Sequence, residues 1–296
     1  MFPLVLFYAS LVSDVRGAIA QHDQAAAARE VQGYQAKTGA TPELAEAISW
    51  LARDALAARR LDQADAYARQ SLKMAERLLG VRRLDTDASL TTAVGASIEV
   101  HAQVLAAEGK RGEALGFLLD NLKVYSGSSI AERLHKNVDL LSLEGKTAPP
   151  IAITEWVGPK PPALSALRGH PVLLFFWAHW CPDCKAMVPF LADLERAYGP
   201  KGLALLAPTK RYGYVAGGEP AGPEAEKRYI DQVRRQYYAG LGDLPAPISS
   251  AAFEAYGAST TPTLVLLDRA GVVRLYHPGA MSEAELGRDI SSLIGK

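Results

Sequence analysis

Cys181 and Cys184 are the only two cysteines of the 296-residue chain, and they are separated by Pro182 and Asp183. An apolar run, Val172 to Trp177, leads into them and reads as a buried strand; the residues after Cys184 read as a helix. Two thiols therefore sit where a strand ends and a helix begins. Backbone N–H groups and the positive end of the helix favour an anion there, and a cysteine thiolate is such an anion. The chemistry this predicts is thiol–disulfide exchange. A zinc site would need two further ligands at suitable spacing, and the six histidines (22, 101, 135, 170, 179 and 277) are scattered, with only His179 near the pair.

The elements that must position the pair follow from punctuation and periodicity. Ile151 to Val157 reads as a short edge strand. Lys185 to Tyr198 reads as a helix kinked by Pro189, and Leu203 to Ala207 as a strand. Residues 208–223 form a long glycine-rich, aromatic loop, a type that often carries function. In it Arg211, Tyr212 and Tyr214 could touch a partner peptide; the alternative is a loop ordered by its own aromatics. Glu224 to Ala239 is a charged helix with Tyr229, Val233 and Tyr237 on one side. Thr263 to Leu267 and Val272 to His277 form a hairpin, and Met281 to Ile294 is a closing helix with a Ser282/Glu285 capping box. The order implies an α/β domain with a central mixed sheet flanked by helices.

The string Phe176-Trp177-Ala178-His179-Trp180-Cys181-Pro182-Asp183-Cys184-Lys185, then Pro189, then Thr261-Pro262-Thr263, resembles the thioredoxin superfamily. The lead-in Leu164 to Leu174 narrows the resemblance to TlpA-like or ResA-like thiol–disulfide oxidoreductases. It covers residues 148–296. It implies a thioredoxin fold, Cys181 as an exposed nucleophile, Cys184 as the resolving thiol, and a redox-active Cys181–Cys184 disulfide with no other cofactor and no metal. Trp180, Thr261 and Pro262 are then the substrate-binding residues, with Thr261-Pro262 a cis peptide bond facing the cysteines; a plain strand-entry proline is the alternative. Two positions depart from the pattern. Phe175 stands where thioredoxins carry a buried Asp, and Met187 where the ResA-like branch carries a Glu. His179, Asp183 and Lys185 are left as the groups that could tune the pair, with His179 read as a surface residue beside the strand end. With no basic residue between the cysteines, a reductant or isomerase-like poise is expected rather than a strong oxidant. The competing readings are a peroxide-reducing redoxin and an interaction scaffold whose fold is mainly structural.

Residues 21–145 form a separate domain, rich in Ala, Leu, Arg and Glu, and read as six or seven helices in hairpins. Thr41-Pro42-Glu43 is a helix start, and Gly80, Gly109 and Gly127 are stops. Asp23-Gln24-Ala25, Asp62-Gln63-Ala64 and Gly112-Glu113-Ala114 each open a helix, a pattern that resembles tetratricopeptide repeats without their steady period. Such an array offers a partner surface, or simply packs. The second domain is 146–296, and residues 1–20 are a signal peptide or a first helix: Phe2 to Val12 is apolar and Ala18-Ile19-Ala20 would serve as a cleavage site. This points to a periplasmic or otherwise exported protein, with a cytoplasmic one as the alternative. The partners expected are protein thiols and disulfides, an upstream electron donor, and a protein on the helical domain. Lys+Arg and Asp+Glu are both 32, a balance that gives no reason to expect nucleic acid.

Overall fold

The computed structural model describes residues 10–294. The chain divides between Leu134 and His135 into two compact units. The first holds α1 (Leu11–Ala20), α2 (Gln24–Thr38), α3 (Pro42–Ala57), α4 (Leu61–Leu79), α5 (Ala88–Ala107) and α6 (Arg111–Tyr125). Helix α7 (Ala131–Ser142) runs across the division. Thr41 caps α3 as expected, its hydroxyl accepting from the Leu44 N–H at 3.1 Å with Pro42 in the first turn. The apolar run up to Ala9 lies outside the described residues. From Leu11 the chain is α1, whose Leu11 and Val15 are buried in one cluster with Ala27, Val31, Leu44 and Ile48.

The hairpins α1–α2, α3–α4 and α5–α6 share one turn. His22 (φ 59°), Arg59 (φ 60°) and Gly109 (φ 81°) are left-handed. The N–H of the next residue reaches back into the preceding helix each time, Asp23 to Ala18 O, Arg60 to Ala55 O and Lys110 to Leu105 O, all at 2.9 Å. Five residues beyond each left-handed position stands a fully buried alanine: Ala27, Ala64 and Ala114. This corrects the sequence alignment, which matched Ala25 to Ala64. Ala25 is exposed, because the turn geometry and not the Asp-Gln-Ala string sets the repeat.

In the second unit β1 (Trp156–Val157) is followed by β2 (Val172–Phe176), α8 (Pro182–Ala186), α9 (Val188–Tyr198), β3 (Ala204–Leu206) and α10 (Pro223–Tyr237). Then come β4 (Ala246–Pro247), α11 (Ser250–Ala255), β5 (Thr263–Leu267), β6 (Val273–Pro278) and α12 (Glu283–Ile294). The main sheet has the order β3-β2-β5-β6, and β1 pairs with β4 as a two-residue ribbon. β2 runs parallel to β3 and antiparallel to β5, so the sheet is mixed. All five residues of β2 are buried, as an apolar run between two covered faces requires. Leu173 and Phe175 share a cluster with α9 and α12 residues; Leu174 and Phe176 share the other with Phe253 and Tyr256.

The expected single helix after the cysteines is two helices, parted at Met187. Pro189 sits in the first turn of α9, where its missing N–H costs no hydrogen bond, so it starts a helix instead of kinking one. The capping box of α12 is formed: the Ser282 hydroxyl accepts from the Glu285 N–H, and the Glu285 carboxylate from the Ser282 N–H, both at 3.3 Å. After α11, Gly257 turns the chain at φ 51°, where a Cβ would come within 2.5 Å of Lys136 Cα and 2.6 Å of the His135 carbonyl carbon.

Candidate redox site

The end of β2 is held on two sides before the cysteines begin. The Trp177 indole N–H donates to Ala207 O and the Thr209 hydroxyl to Trp177 O, both at 2.9 Å. On the other side Phe176 pairs with Thr263 at the start of β5. The residues just before β5 therefore lie against those just after β2. This register brings Thr261 and Pro262 to the cysteines from eighty residues away, with their peptide bond cis.

Cys181 and Cys184 form a disulfide with Cα atoms 5.3 Å apart, inside the ordinary range for such bonds. Cys181 is the N-cap of α8 and Pro182 fills the first turn. The Cys184 N–H points at Cys181 Sγ at 3.0 Å, and the carbonyl oxygen of Thr261 lies 3.4 Å from the same sulfur. That N–H favours a thiolate on Cys181. Cys181 was expected to be exposed but is only 1% accessible, and Cys184 is sealed completely. The reason is that Cys181 folds under the Thr261 carbonyl. Trp180 beside it is 45% exposed.

The ionisable neighbours divide differently from the sequence reading. Asp183 is exposed. The Lys185 ammonium lies 4.3 Å from the centre of the Tyr237 ring, a ring that is itself 44% exposed and so does not belong to the buried side of α10. That side is carried by Glu226, Ile230, Val233 and Arg234. His179, read as a surface residue, is 1% exposed. Tyr212, Tyr214 and Tyr229 stand edge-on around its ring at 5.3–5.5 Å. Burial lowers the His179 pKa, and Lys185 adds to the lowering; the Glu226 hydrogen bond and charge oppose it. The His179 Nε2 lies 3.3 Å from Glu226 Oε1, and because a carboxylate oxygen only accepts, the ring N–H is the donor.

Glu226 is the site residue that sequence reasoning missed. It too is 1% exposed, and its carboxyl also accepts the N–H groups of Tyr212 and Gly213. A signal was present: Glu226, Ile230 and Val233 fall at helical spacing on one stripe. The 208–223 loop is further pinned by Arg211, which pairs with Glu155 and donates to Pro223 O at 3.2 Å. Its aromatics pack on the site and on one another, with Tyr212 edge-on to Trp180 at 5.4 Å and 6.2 Å from Tyr214.

Residues 163–288 match the family model of a thioredoxin-like domain. The thioredoxin-like protein YneN of Bacillus subtilis strain 168 is 30% identical over 174 residues, 58% of this chain and 92% of that protein. The thiol-disulfide oxidoreductase ResA of Geobacillus kaustophilus strain HTA426 is 29% identical over 151 residues, 50% of this chain and 77% of that protein. Among solved structures, the exposed lipoprotein thioredoxin Etrx1 of Streptococcus pneumoniae strain TIGR4 is 26% identical. It aligns with a TM-score of 0.39 over 48% of this chain and all of that one.

Proposed function

The chain belongs to the thioredoxin-like proteins, and from that premise we propose that it is a thiol–disulfide oxidoreductase acting as a reductant on protein disulfides. The observation that carries this reading is the Cys181–Cys184 disulfide at the cap of α8, with the Thr261 carbonyl against Cys181. In the reduced protein the Cys181 thiolate attacks one sulfur of a substrate disulfide. A mixed disulfide forms and the other substrate sulfur leaves as a thiolate, which takes up a proton. Cys184, deprotonated, then attacks Cys181 Sγ. The second substrate thiol departs, two electrons have passed to the substrate, and the protein disulfide is restored. A dithiol donor must return those electrons for another cycle. Thr261 and Pro262 offer main chain to an extended substrate, and Trp180 an apolar flank.

The reductant direction rests on Asp183, whose charge opposes thiolate formation on its neighbours, and on the absence of a basic residue between the cysteines. The wild-type protein should precipitate insulin in the presence of dithiothreitol. Its disulfide should titrate near thioredoxin's potential of about −270 mV. A midpoint nearer the roughly −120 mV of a strong oxidant would reverse the assigned direction.

The helical unit, with its hairpin turn repeated three times, suits a tetratricopeptide-like scaffold that recruits the protein partner. The exported setting rests on the apolar run Phe2 to Val12 and the triplet Ala18-Ile19-Ala20. No helix among the described residues is long and apolar enough to cross a membrane. Export with cleavage after Ala20 would remove α1 and with it the first of the three hairpins, leaving a mature protein that begins at Gln21 when the full chain is made in a secreting host. N-terminal sequencing that finds only the uncleaved chain would favour the first-helix reading.

A further inference from the structure

Burying a carboxylate costs several kcal/mol unless its oxygens are well supplied with donors. Glu226 is buried and supplied, and its donors come from two segments that frame the disulfide. Tyr212 N–H and Gly213 N–H belong to the long loop; His179 Nε2–H belongs to the turn two residues before Cys181. Tyr212, fixed at its backbone by this carboxyl, places its ring edge-on to Trp180, and the Lys210 ammonium lies 5.6 Å from the same ring. Trp180 is the exposed aromatic next to the reactive sulfur, and Thr261 O lies on that sulfur. The loop is tied down again at its neighbour Arg211 by Glu155, which Lys227 also approaches at 3.3 Å.

We propose that Glu226 is a positioning residue for substrate choice: it fixes the 208–222 loop so that Tyr212 holds Trp180 as a rigid apolar wall beside Cys181. The substrate this wall selects is an extended peptide disulfide with an aromatic or large aliphatic side chain next to its cysteine. The proposal rests on the oxidoreductase reading above. An aromatic wall that is already fixed loses little side-chain entropy on binding, whereas a free tryptophan must be ordered by each substrate. Glu226 touches no reacting atom in this scheme. Its effect passes through the Tyr212 and Trp180 rings.

The test uses the full chain carrying Glu226→Gln, which keeps the side-chain size but replaces one acceptor oxygen with an NH2 that cannot accept the loop N–H. Three quantities are measured: kcat and KM for a peptide disulfide flanked by phenylalanine, the rate with hydroxyethyl disulfide, and the Cys181 thiol pKa from the pH dependence of alkylation. The expected result is a KM for the peptide raised about tenfold, equivalent to about 1.4 kcal/mol of binding. The kcat, the small-disulfide rate and the thiol pKa should be unchanged. Tyr212→Ala keeps the buried carboxyl and its backbone partners, and should raise the same KM alone; it decides the matter if the first variant does not fold. Equal losses on both substrates, or a shifted thiol pKa with KM unchanged, would show that Glu226 acts on the sulfur and overturn the proposal. An unchanged KM in Tyr212→Ala would show that the wall is not used. A wild-type protein that reduces neither substrate would instead defeat the oxidoreductase reading itself.

Discussion

Cys184→Ser is expected to turn the protein from a catalyst into a trap. Attack by Cys181 does not need Cys184, so a substrate disulfide is still opened and a mixed disulfide still forms. Release does need it, because only a thiolate three residues away can attack Cys181 Sγ, and serine cannot replace it. Insulin reduction should fall to the background rate, a loss of about a thousandfold or more, since the hydroxyl is a far weaker nucleophile than a thiolate. Non-reducing electrophoresis should show a covalent adduct that dithiothreitol dissolves. Cys181→Ser should lose the activity equally and form no adduct. Exposure cannot settle which sulfur attacks, because both cysteines are buried. The assignment comes from Cys181 being the helix cap, receiving the Cys184 N–H at 3.0 Å and lying beside the exposed Trp180. A stable adduct in the Cys181 variant would exchange the two roles.

Asp139→Asn should stabilise the protein strongly at neutral and alkaline pH. Asp139 is 9% exposed on α7, and its Oδ2 has no hydrogen-bond partner. Burial raises its pKa to about 7, against a smaller lowering by Lys146. Nearby Tyr256 and Tyr276 have their own pKa values raised, by burial first and by Asp139 second. The folded-state pKa is above the unfolded value, so the folded protein binds more protons between about pH 4 and 7 and stability falls as pH rises through that window. Asparagine removes the charge that must be held in an apolar place above it. The gain at pH 8 should be on the order of 2–4 kcal/mol, taking about 1.4 kcal/mol per pKa unit, and it should vanish near pH 4. Denaturant unfolding of both proteins across this range checks it. Equal stabilities at pH 8 would mean that Asp139 reaches water.

What the sequence could disclose depended on the distance over which each feature is determined. The helices of the first unit, the strand before the cysteines and the capping box of α12 are set by residues a few positions apart, and local pattern found them. The Thr261-Pro262 segment is eighty residues from Cys181, yet its position was legible through the family resemblance. His179 and Glu226 were not. Their burial comes from a loop closing between segments 47 residues apart; the stripe of Glu226, Ile230 and Val233 marks the inward side of α10 but not what the carboxyl meets there. Phe175 and Met187 are buried apolar side chains and bring no carboxylate to the cysteines; Glu226 enters the neighbourhood from a different helix. Cys181 was misplaced as exposed because strand-end position says nothing of what folds over it.

Gly257 has a consequence for how such a protein is interrogated genetically. At φ 51°, with Lys136 Cα 2.5 Å from where a Cβ would stand, the position excludes every side chain. In a saturation library scored by survival of reductase activity its column would be as empty as those of Cys181 and Cys184. A tolerance map alone would rank it among the reactive residues. Separating the two kinds of emptiness takes a second score, such as the amount of folded protein per cell, which collapses for a misfit glycine and is preserved for a lost nucleophile.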